Sequence, residues 1–473
     1  MLSMSCIVAW GSLIAAVTNA HETEAYPPNV TISNTTTSMF QLSNDTEFSF
    51  ILSEYLSLAN EGGSATGEVL RAAAVTEPNN PESWYREFKF LADKIREQAV
   101  AAEKKKDWVS ARSAYFRSSS YYRGADFFLH GNQSDPRIGI LWQKQNASFT
   151  KAINLLPMPP TFVELKATKF TVPAYFYPAD AQLPAGKHLS YGKKIPTVIV
   201  GTGYDGSQEA LYHSNCREII QRGWNCITYE GPGQATVRRQ QNLGFMPEWW
   251  EAVTPVVDYI RSRHDVDPDR VALIGMSFGG LLAPLAATHE HRLAAVLAID
   301  GMLNLQRSIL EQFPPALTKL FLSGNSTAFD DEIYSLLKNP KIPTALSWPI
   351  NQGMWAWNTK SPFKWLTMVG EFNLDKKSLA KIKCPVFVAS GQDDTTAPEQ
   401  PEEMARAFGK QAHYFLFKKE LGSGVHCAIG AENQLAQETL GWLEDVFDSL
   451  QVTITRRLEL PLSYLYFNYW SVI

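Results

Sequence analysis

The chain has no excess of positive charge. Its 473 residues include 43 Lys and Arg against 48 Asp and Glu, which gives a formal net charge of -5 at pH 7. Proteins that bind nucleic acids gain much of their affinity from Lys and Arg side chains that neutralise phosphates. Nucleic acid is therefore not an expected partner, and the composition does not indicate a polyanionic substrate either.

The sequence also lacks the spacings that metal sites use. It contains neither CxxC nor HExxH, so we expect no structural or catalytic metal and no cofactor. Cysteine is scarce, and the five in the chain are Cys6, Cys216, Cys226, Cys384 and Cys427. An oxidising compartment would permit the last four to pair, but two of them lie in or beside segments predicted to be buried strands. We therefore predict that these thiols are mostly free and buried.

A long apolar run near the C-terminus is missing as well. The aromatic-rich segment 458–473 is interrupted by Glu459, Pro461 and Asn468. A membrane-spanning helix needs about 20 predominantly apolar residues. We therefore expect no stable membrane span there, and residues 451–473 form a C-terminal tail without an assigned role.

The N-terminal end carries an apolar segment without Lys or Arg. Residues 1–20 end in small residues, which predicts a cleaved signal peptide, with an uncleaved membrane anchor as the alternative. Residues 21–45 are rich in Ser, Thr and Asn, which favours a flexible glycosylated leader. The expected location is the secretory-pathway lumen or the outside of the cell. The predicted glycosylation acceptors are Asn29, Asn34, Asn44, Asn132, Asn146 and Asn325.

Residues 46–160 have a helical pattern. Trp84, Phe88, Leu91 and Ile95 recur at three- and four-residue steps. A second amphipathic run, residues 108–129, carries many aromatic side chains. These rings either pack between helices or line an apolar substrate pocket. We predict a helical cap domain over this segment.

From residue 161 to residue 450, short apolar strands alternate with helical stretches. This alternation is typical of an α/β fold with a mostly parallel, doubly wound sheet, whose ligands bind at the carboxyl ends of the strands. Residues 301–383 interrupt the alternation before the next strand. An insertion of this length is a candidate lid.

The segment 271–280 contains Gly-x-Ser-x-Gly between an apolar strand and a helix. In a sharp strand-to-helix turn only small residues fit beside the serine, so Gly275 and Gly279 leave room while the turn exposes the hydroxyl. The pattern alone recurs by chance. The strand before it and the helix after it make Ser277 the candidate nucleophile.

A serine nucleophile needs an imidazole to remove its proton and an acid to orient that imidazole. His426 lies between the last predicted strand and the final helix, where the base is expected. Asp394, in the loop after another strand, is the favoured acid, with Asp393 as the alternative. Asp300 follows a third strand and is a second rival, for which anchoring a loop is the preferred role.

Acyl chemistry also needs backbone donors for the developing oxyanion. The N–H of Phe278 is the first expected donor, and the N–H of Tyr204, in the loop after a predicted strand, is the second. Asp205 is adjacent to Tyr204 in the sequence. It is either an auxiliary acid near the reacting centre or part of an Asp-Gly turn.

Five segments together resemble a known family. They read GYDGSQE (203–209), EGPGQ (230–234), DVDPDR followed by GMSFGG (265–280), GQDD (391–394) and VHCAIGA (425–431). They are similar to the α/β-hydrolases related to 2,6-dihydropseudooxynicotine hydrolase. Within that group, the likeness is to the fungal branch that trims or cyclises polyketides, including pigment polyketide-shortening hydrolases and hydrolases of fusarin-like and cytochalasan-like pathways.

The resemblance spans roughly residues 84–448 and implies a Ser277, Asp394, His426 triad under an N-terminal helical cap. It also implies cleavage of an acyl or carbon-carbon bond beside a carbonyl. In carbon-cleaving relatives an acidic residue follows the oxyanion strand, and Asp205 occupies the similar place. The signal-like start, the leader and the tail depart from the mostly intracellular relatives.

The sequence therefore predicts a serine hydrolase that acts on a bulky, apolar carbonyl compound, and the resemblance implies a polyketide-type secondary metabolite. Acyl transfer or cyclisation by the same triad is one alternative. A secreted binding module that kept the fold without catalysis is another, and an intact triad disfavours it. The expected partner is an apolar small molecule, with a homodimer left open.

Overall fold

The computed structural model describes residues 40–180 and 194–459, and it describes side chains up to residue 450. The predicted signal peptide, most of the predicted leader and the tail from residue 460 lie outside these ranges. Within the ranges, the search for a helix both long enough and apolar enough to cross a membrane found none.

Between residue 40 and the first strand the structure has five α-helices. They are α1 (Thr46–Ser57), α2 (Thr66–Val75), α3 (Pro81–Lys104), α4 (Trp108–Asp126) and α5 (Pro136–Ile153). The side chains that recur at helical spacing along α3 are buried, as predicted. Trp84 stacks on Phe88 with ring centroids 4.5 Å apart, and its indole N–H donates to the carbonyl of Gly124 at 2.8 Å. The apolar face of α3 therefore packs against α4.

Side-chain caps fix where four of these helices begin. Asp45, Asn80, Asp107 and Asp135 each accept a hydrogen bond from a backbone N–H in the first turn of the helix that follows. These N–H groups have no partner within their own helix, so the caps satisfy donors that would otherwise need water.

The aromatic side chains of the second run are largely buried. Phe116 stacks on Tyr212 at 5.2 Å between ring centroids, and Phe127 stacks on Trp348 at 5.1 Å. Both rings thus pack between elements. The second contact joins the N-terminal helices to the insertion at 301–383.

Within the described ranges, eight strands form one sheet in the order β1-β2-β4-β3-β5-β6-β7-β8. They are β1 (Thr161–Lys166), β2 (Thr171–Tyr177), β3 (Ile195–Gly201), β4 (Asn225–Tyr229), β5 (Val266–Met276), β6 (Ala295–Ile299), β7 (Val386–Gly391) and β8 (Ala412–Phe417). β2 pairs antiparallel with both β1 and β4, and the remaining neighbours pair parallel. The predicted mostly parallel α/β sheet is confirmed.

Helices connect the strands and make up the insertion. Between strands of the core lie α6 (Gln208–Leu211), α7 (Arg217–Gln221), α8 (Ala235–Gln241), α9 (Trp250–Ser262), α10 (Gly279–Ala287) and α17 (Gln400–Phe408), and α18 (Glu432–Glu459) follows β8. The insertion contains α11 (Leu305–Gln312), α12 (Pro315–Leu322), α13 (Ser326–Leu337), α14 (Thr344–Ala356), α15 (Pro362–Val369) and α16 (Lys376–Leu379).

One prediction about cysteine is wrong. Cys216 and Cys226 form a disulfide, with their Cα atoms 5.6 Å apart. The turn after α6 packs directly on β4, which brings two thiols together that the sequence shows only as separate apolar positions. Cys384 and Cys427, which the structure also describes, are free. The secretory location stays a prediction.

The sequons differ in their surroundings. Asn29 and Asn34 lie outside the described residues, whereas Asn44, Asn132 and Asn325 are exposed. Asn146 is half-buried inside α5, and its amide contacts Glu209 and Trp142. A glycan at that position would have to break these contacts, so Asn146 is a poor acceptor in the folded protein.

Two glycines in neighbouring helices should respond oppositely to the same substitution. A Cβ on Gly124 of α4 would lie 2.5 Å from the Phe88 ring, whereas a Cβ on Gly139 of α5 meets nothing within 4 Å. We expect Gly124→Ala to lower the free energy of unfolding by about 1–3 kcal/mol through overpacking. Gly139→Ala should raise it by about 0.5–1 kcal/mol through helix propensity.

Urea unfolding of the two variants and the wild type measures both effects. A stabilised Gly124→Ala variant would contradict the close packing of α3 on α4.

Candidate active site

The turn predicted around Ser277 lies at the carboxyl end of β5. β5 ends at Met276 and α10 begins at Gly279, so two residues make the connection. Ser277 has a φ of +61°, in the left-handed region that non-glycine residues rarely adopt. A Cβ on Gly275 would lie 1.9 Å from the carbonyl oxygen of Gly279, so only glycine fits there. The tight turn holds the Ser277 hydroxyl at the edge of the sheet.

The imidazole of His426 makes a hydrogen bond on each side. His426 lies in the turn between β8 and α18, and its Nε2 is 2.8 Å from Ser277 Oγ. Its Nδ1 is 2.8 Å from Oδ2 of Asp394, in the loop after β7. The three side chains thus form a continuous chain of hydrogen bonds. This geometry can activate a serine hydroxyl for attack on a carbonyl.

The two rival acids take different positions. Asp393 faces Lys419, whose Nζ lies 3.9 Å from Asp393 Oδ1. Asp300 Oδ2 lies 3.1 Å from His426 Nδ1, slightly farther than the oxygen of Asp394. The distances favour Asp394 as the orienting acid.

Asp300 also has the loop-anchoring contacts expected of it. Its Oδ1 accepts a hydrogen bond from the backbone N–H of Gly391 at 3.2 Å, and its Oδ2 accepts one from the N–H of Cys427. One buried carboxyl group therefore joins the end of β6 to the end of β7 and to the turn after β8. The position of His426 depends on it through Cys427.

The pKa values of the Asp394 and Asp300 carboxyl groups shift in opposite directions. Burial alone would raise the pKa of Asp394, but the His426 imidazole and the hydrogen bonds from Thr396 hold it below its usual value. Burial and the nearby charge of Asp394 raise the pKa of Asp300. Burial disfavours the charged form of His426, but Asp394, Cys427 and Asp300 together outweigh it and raise the pKa of the imidazole. Negative charge therefore concentrates on Asp394, where it stabilises an imidazolium.

Among the residues that the structure describes, Asp300, His426 and Cys427 form the one group of three that could hold a metal ion. The oxygens of Asp300 already accept backbone hydrogen bonds, and His426 bonds to Ser277 and Asp394. Burial raises the pKa of the Cys427 thiol to about 12, so it stays protonated. This donor chemistry suits a hydrogen-bonded catalytic cluster better than a metal centre.

The loop after β3 lies directly against the N-terminus of α10. A Cβ on Gly203 would be 2.7 Å from the amide nitrogen of Phe278, so the two backbones approach closely. Gln234 Nε2 donates to the carbonyls of Thr202, at 2.8 Å, and Gly203, at 3.2 Å. Since a trans peptide directs its C=O and N–H oppositely, this bond turns the N–H of Tyr204 away from Gln234.

The positioning by Gln234 was not foreseen from the sequence, which indicated only a turn at 230–234. The motif EGPGQ draws attention to Gln234 as a polar residue just before a helix. The sequence does not show which loop its side chain contacts.

Helix α1 carries two further carboxyl groups toward the site. Glu47, Phe50 and Glu54 are three and four residues apart and therefore share one face of the helix. The ring of Phe50 lies 6.4 Å from that of His426, between centroids. Burial, reinforced by the negative charge of Asp205, raises the pKa of Glu47 to about 8 and that of Glu54 to about 7.

Sequence reasoning missed Glu47 and Glu54. Their spacing on one helix face was visible, but nothing in the sequence shows which helix covers the site. Contact with the insertion fixes α1 in place, because the hydroxyl of Thr344 on α14 donates to Asp45 Oδ2 at 2.5 Å.

Asp205 lies at the bend that follows Tyr204 and is half-buried. Burial raises its pKa, while the Arg123 guanidinium and His426 oppose the shift. Arg123 also donates to the backbone carbonyl of Asp205. The bend fits the expected role of turn former, and the role of an acid near the reacting centre stays a prediction.

Comparison with known proteins gives concordant results. Residues 216–436, which include Ser277, Asp394 and His426, match the Alpha/beta hydrolase family. Hydrolase LUC6 of a Fusarium species is 30% identical over 421 residues, covering 86% of this chain and 98% of that protein. The 20-hydroxy-prefusarin hydrolase FUS2 of Gibberella moniliformis is 28% identical over 398 residues, covering 81% of this chain and 93% of that protein.

A solved structure shows the same fold. The crystal structure of 2,6-dihydroxy-pseudo-oxynicotine hydrolase has a TM-score of 0.64 at 19% identity, and the match covers 82% of this chain and 95% of that chain. The family resemblance found in the sequence is confirmed. The chain belongs to the alpha/beta hydrolase family, and it is a hydrolase.

Proposed function

We propose that the protein is a serine hydrolase in which Ser277 attacks the substrate carbonyl. The observation that carries this proposal is the hydrogen-bond chain from Ser277 through His426 to Asp394, with both bonds at 2.8 Å. His426 Nε2 takes the Ser277 proton and then gives it to the leaving group. Water, activated by the same imidazole, releases the product and restores the serine. Asp394 holds the imidazole and stabilises its positive charge.

The oxyanion would form between the N–H of Phe278 and the N–H of Tyr204. The close approach of Gly203 to the amide nitrogen of Phe278 supports this pairing, because it brings the two backbone segments side by side. Donors fixed by backbone packing are already oriented when charge develops on the substrate oxygen.

The proposed substrate is a bulky, largely apolar carbonyl compound of the polyketide or polyketide-peptide type. The name of FUS2, a 20-hydroxy-prefusarin hydrolase, and the 28% identity over most of both chains support this class. The scissile bond is an ester, thioester or amide, or a carbon-carbon bond next to a ketone. Asp205 supports the last option as an additional acid near the reacting atoms.

The carboxyl groups on α1 suit such a substrate. Neutral carboxylic acids donate hydrogen bonds to carbonyl and hydroxyl oxygens. Glu47, whose pKa is raised to about 8 by burial, would therefore offer a donor near neutral pH. Phe50, between the two acids, adds an apolar surface beside His426.

Ser277→Ala should abolish labelling by a fluorophosphonate probe, because the probe forms a covalent bond only with an activated serine. Mass spectrometry of the labelled peptide identifies the residue that carries the probe. Ser390→Ala, at a half-buried serine near the end of β7, is the matched control and should label like the wild type. Equal labelling of the Ser277→Ala variant and the wild type would contradict the assignment of Ser277 as the nucleophile.

Asp394→Asn should lower kcat/KM for the natural substrate, or for an ester that the enzyme accepts, by about 10²–10⁴-fold, because an asparagine does not stabilise the imidazolium. Asp393→Asn, one residue away and facing Lys419, should stay within about threefold of the wild type. A larger loss for Asp393→Asn than for Asp394→Asn would reverse the assignment of the acid.

Glu47→Gln should stabilise the fold increasingly as the pH rises. Burial raises the folded-state pKa of Glu47 from 4.5 to about 8, so between these values the folded state keeps a proton that the unfolded state has released. The stability of the wild type therefore falls with pH in this window, and glutamine removes that loss.

Thermal unfolding near both ends of that pH window measures the difference between variant and wild type. Glu371→Gln, at an exposed glutamate, is the control. If the Glu47→Gln variant differs from the wild type by the same amount at both ends, the carboxyl of Glu47 does not titrate as described.

A further inference from the structure

Helix α14 of the insertion is hydrogen-bonded to the loop that carries the second proposed oxyanion donor. Gln352 Nε2 donates to the carbonyl oxygen of Tyr204 at 3.1 Å. The Tyr204 hydroxyl in turn donates to the carbonyl of Pro349 at 2.7 Å. A Cβ on Gly353 would lie 2.0 Å from that hydroxyl oxygen, so glycine is needed for the approach. Tyr204 is therefore bound to α14 through both its backbone and its side chain.

A buried histidine fixes the orientation of the Gln352 amide. His130, from the turn after α4, has its Nδ1 2.5 Å from Gln352 Oε1. Its ring stacks on Trp355 at 4.0 Å with an interplanar angle of 5°. Both His130 and Gln352 are almost fully buried, with 4% and 3% of their surfaces exposed. Water therefore offers neither side chain an alternative partner.

The direction of these hydrogen bonds follows from the carbonyl of Tyr204. A carbonyl oxygen only accepts, so the amide nitrogen of Gln352 faces it and Gln352 Oε1 faces His130. The proton of the neutral His130 ring is then on Nδ1, which donates to Gln352 Oε1. The other ring nitrogen, Nε2, lies 3.3 Å from Arg239 and 3.5 Å from the carboxylate of Asp126, and these two side chains form an ion pair with each other.

With Gln352 Oε1 occupied by His130, its amide N–H group faces Tyr204. The reverse orientation would place two oxygen acceptors 3.1 Å apart. Burial also lowers the pKa of His130, which keeps the ring in the neutral form that this arrangement needs.

Two glutamines thus hold consecutive carbonyls of the loop. Gln234, from the core, binds the carbonyl of Gly203, and Gln352, from the insertion, binds the carbonyl of Tyr204. The N–H of Tyr204 lies between these two fixed carbonyls. Its direction is therefore set from both sides.

We propose that Gln352, held by His130, is a positioning residue that aims the N–H of Tyr204 at the developing oxyanion. The inference rests on the proposed function, because it needs Ser277 as the nucleophile. It assigns a role in transition-state stabilisation to the insertion and to the N-terminal helices, both of which lie outside the loops that carry the triad.

The test is Gln352→Met, which keeps the length of the side chain and removes both of its hydrogen bonds. With the purified full chain and a fluorophosphonate probe, the maximal labelling rate of Ser277 should fall by about tenfold or more. Removing an oxyanion donor outright costs about 10²–10³-fold, and a misdirected donor should lose part of that. The concentration for half-maximal labelling should change little, because the probe binds before charge develops.

The matched control is Gln306→Met. Gln306, in the same insertion, donates from Nε2 to the carbonyl of Leu366 at 2.8 Å, so its loss removes the same kind of bond away from Tyr204. We expect its labelling rate to stay within about twofold of the wild type. Circular dichroism and thermal unfolding verify that both variants are folded.

A second variant, His130→Phe, removes the side chain that orients the Gln352 amide. It tests the same inference if Gln352→Met does not fold. A phenyl ring can keep the stacking on Trp355 but cannot hold the Gln352 amide. The labelling rate should fall, and the double variant should lose no more than Gln352→Met alone, because both changes act on one group.

The outcomes separate the two proposals. Labelling of Ser277 in the wild type with unchanged rates in Gln352→Met and His130→Phe would overturn the inference and leave the proposed function standing. Equal losses in Gln352→Met and Gln306→Met would also overturn it, since the effect would then be a general one on the insertion. Absence of labelling at Ser277 in the wild type would overturn both.

Discussion

The imidazole of His426 has to meet Ser277 on one side and Asp394 on the other, and the rest of the molecule is arranged so that it can. The three residues follow three different strands, so the loops after β5, β7 and β8 must end at one edge of the sheet. Parallel pairing of these strands brings their carboxyl ends to that edge. Asp300, just after β6, then accepts backbone hydrogen bonds from the end of β7 and from the turn after β8.

The negative charges around His426 impose a second constraint on the site. Five carboxyl groups influence one imidazole; they belong to Glu47, Glu54, Asp205, Asp300 and Asp394. They cannot all ionise in a buried site, because each negative charge raises the pKa of the others. Burial and mutual repulsion therefore raise the pKa of the outer carboxyl groups, whereas His426 holds that of Asp394 below its usual value. Such a site can orient oxygen-bearing groups without repelling them.

The sequence predicted those parts of the molecule that depend on local chemistry. The elbow around Ser277 is a short-range pattern of glycines between a strand and a helix, and the candidate acid and base follow recognisable strands. The choice between Asp394 and Asp300 was open because both follow strands of one sheet. Only the folded geometry shows that both approach His426 Nδ1 and that Asp394 is the nearer.

Long-range pairings were beyond the reach of such patterns. Cys216 and Cys226 were predicted to be free. Neither local sequence shows that the turn with Cys216 packs on β4, which is what brings the two thiols together. The same holds for Gln352, whose partners His130 and Tyr204 are 222 and 148 residues away in the chain. A glutamine in a helical insertion looks like any solvent-facing polar residue until its neighbours are known.

The contact between Phe50 and His426 has a consequence for how the protein is made. The ribosome synthesises α1 among the first folded elements, but the ring that α1 covers belongs to a turn after the last strand. For most of its synthesis the nascent chain carries Ser277, the proposed nucleophile, without His426, the proposed base. The contact between α1 and His426 therefore joins one of the first elements to be synthesised to one of the last.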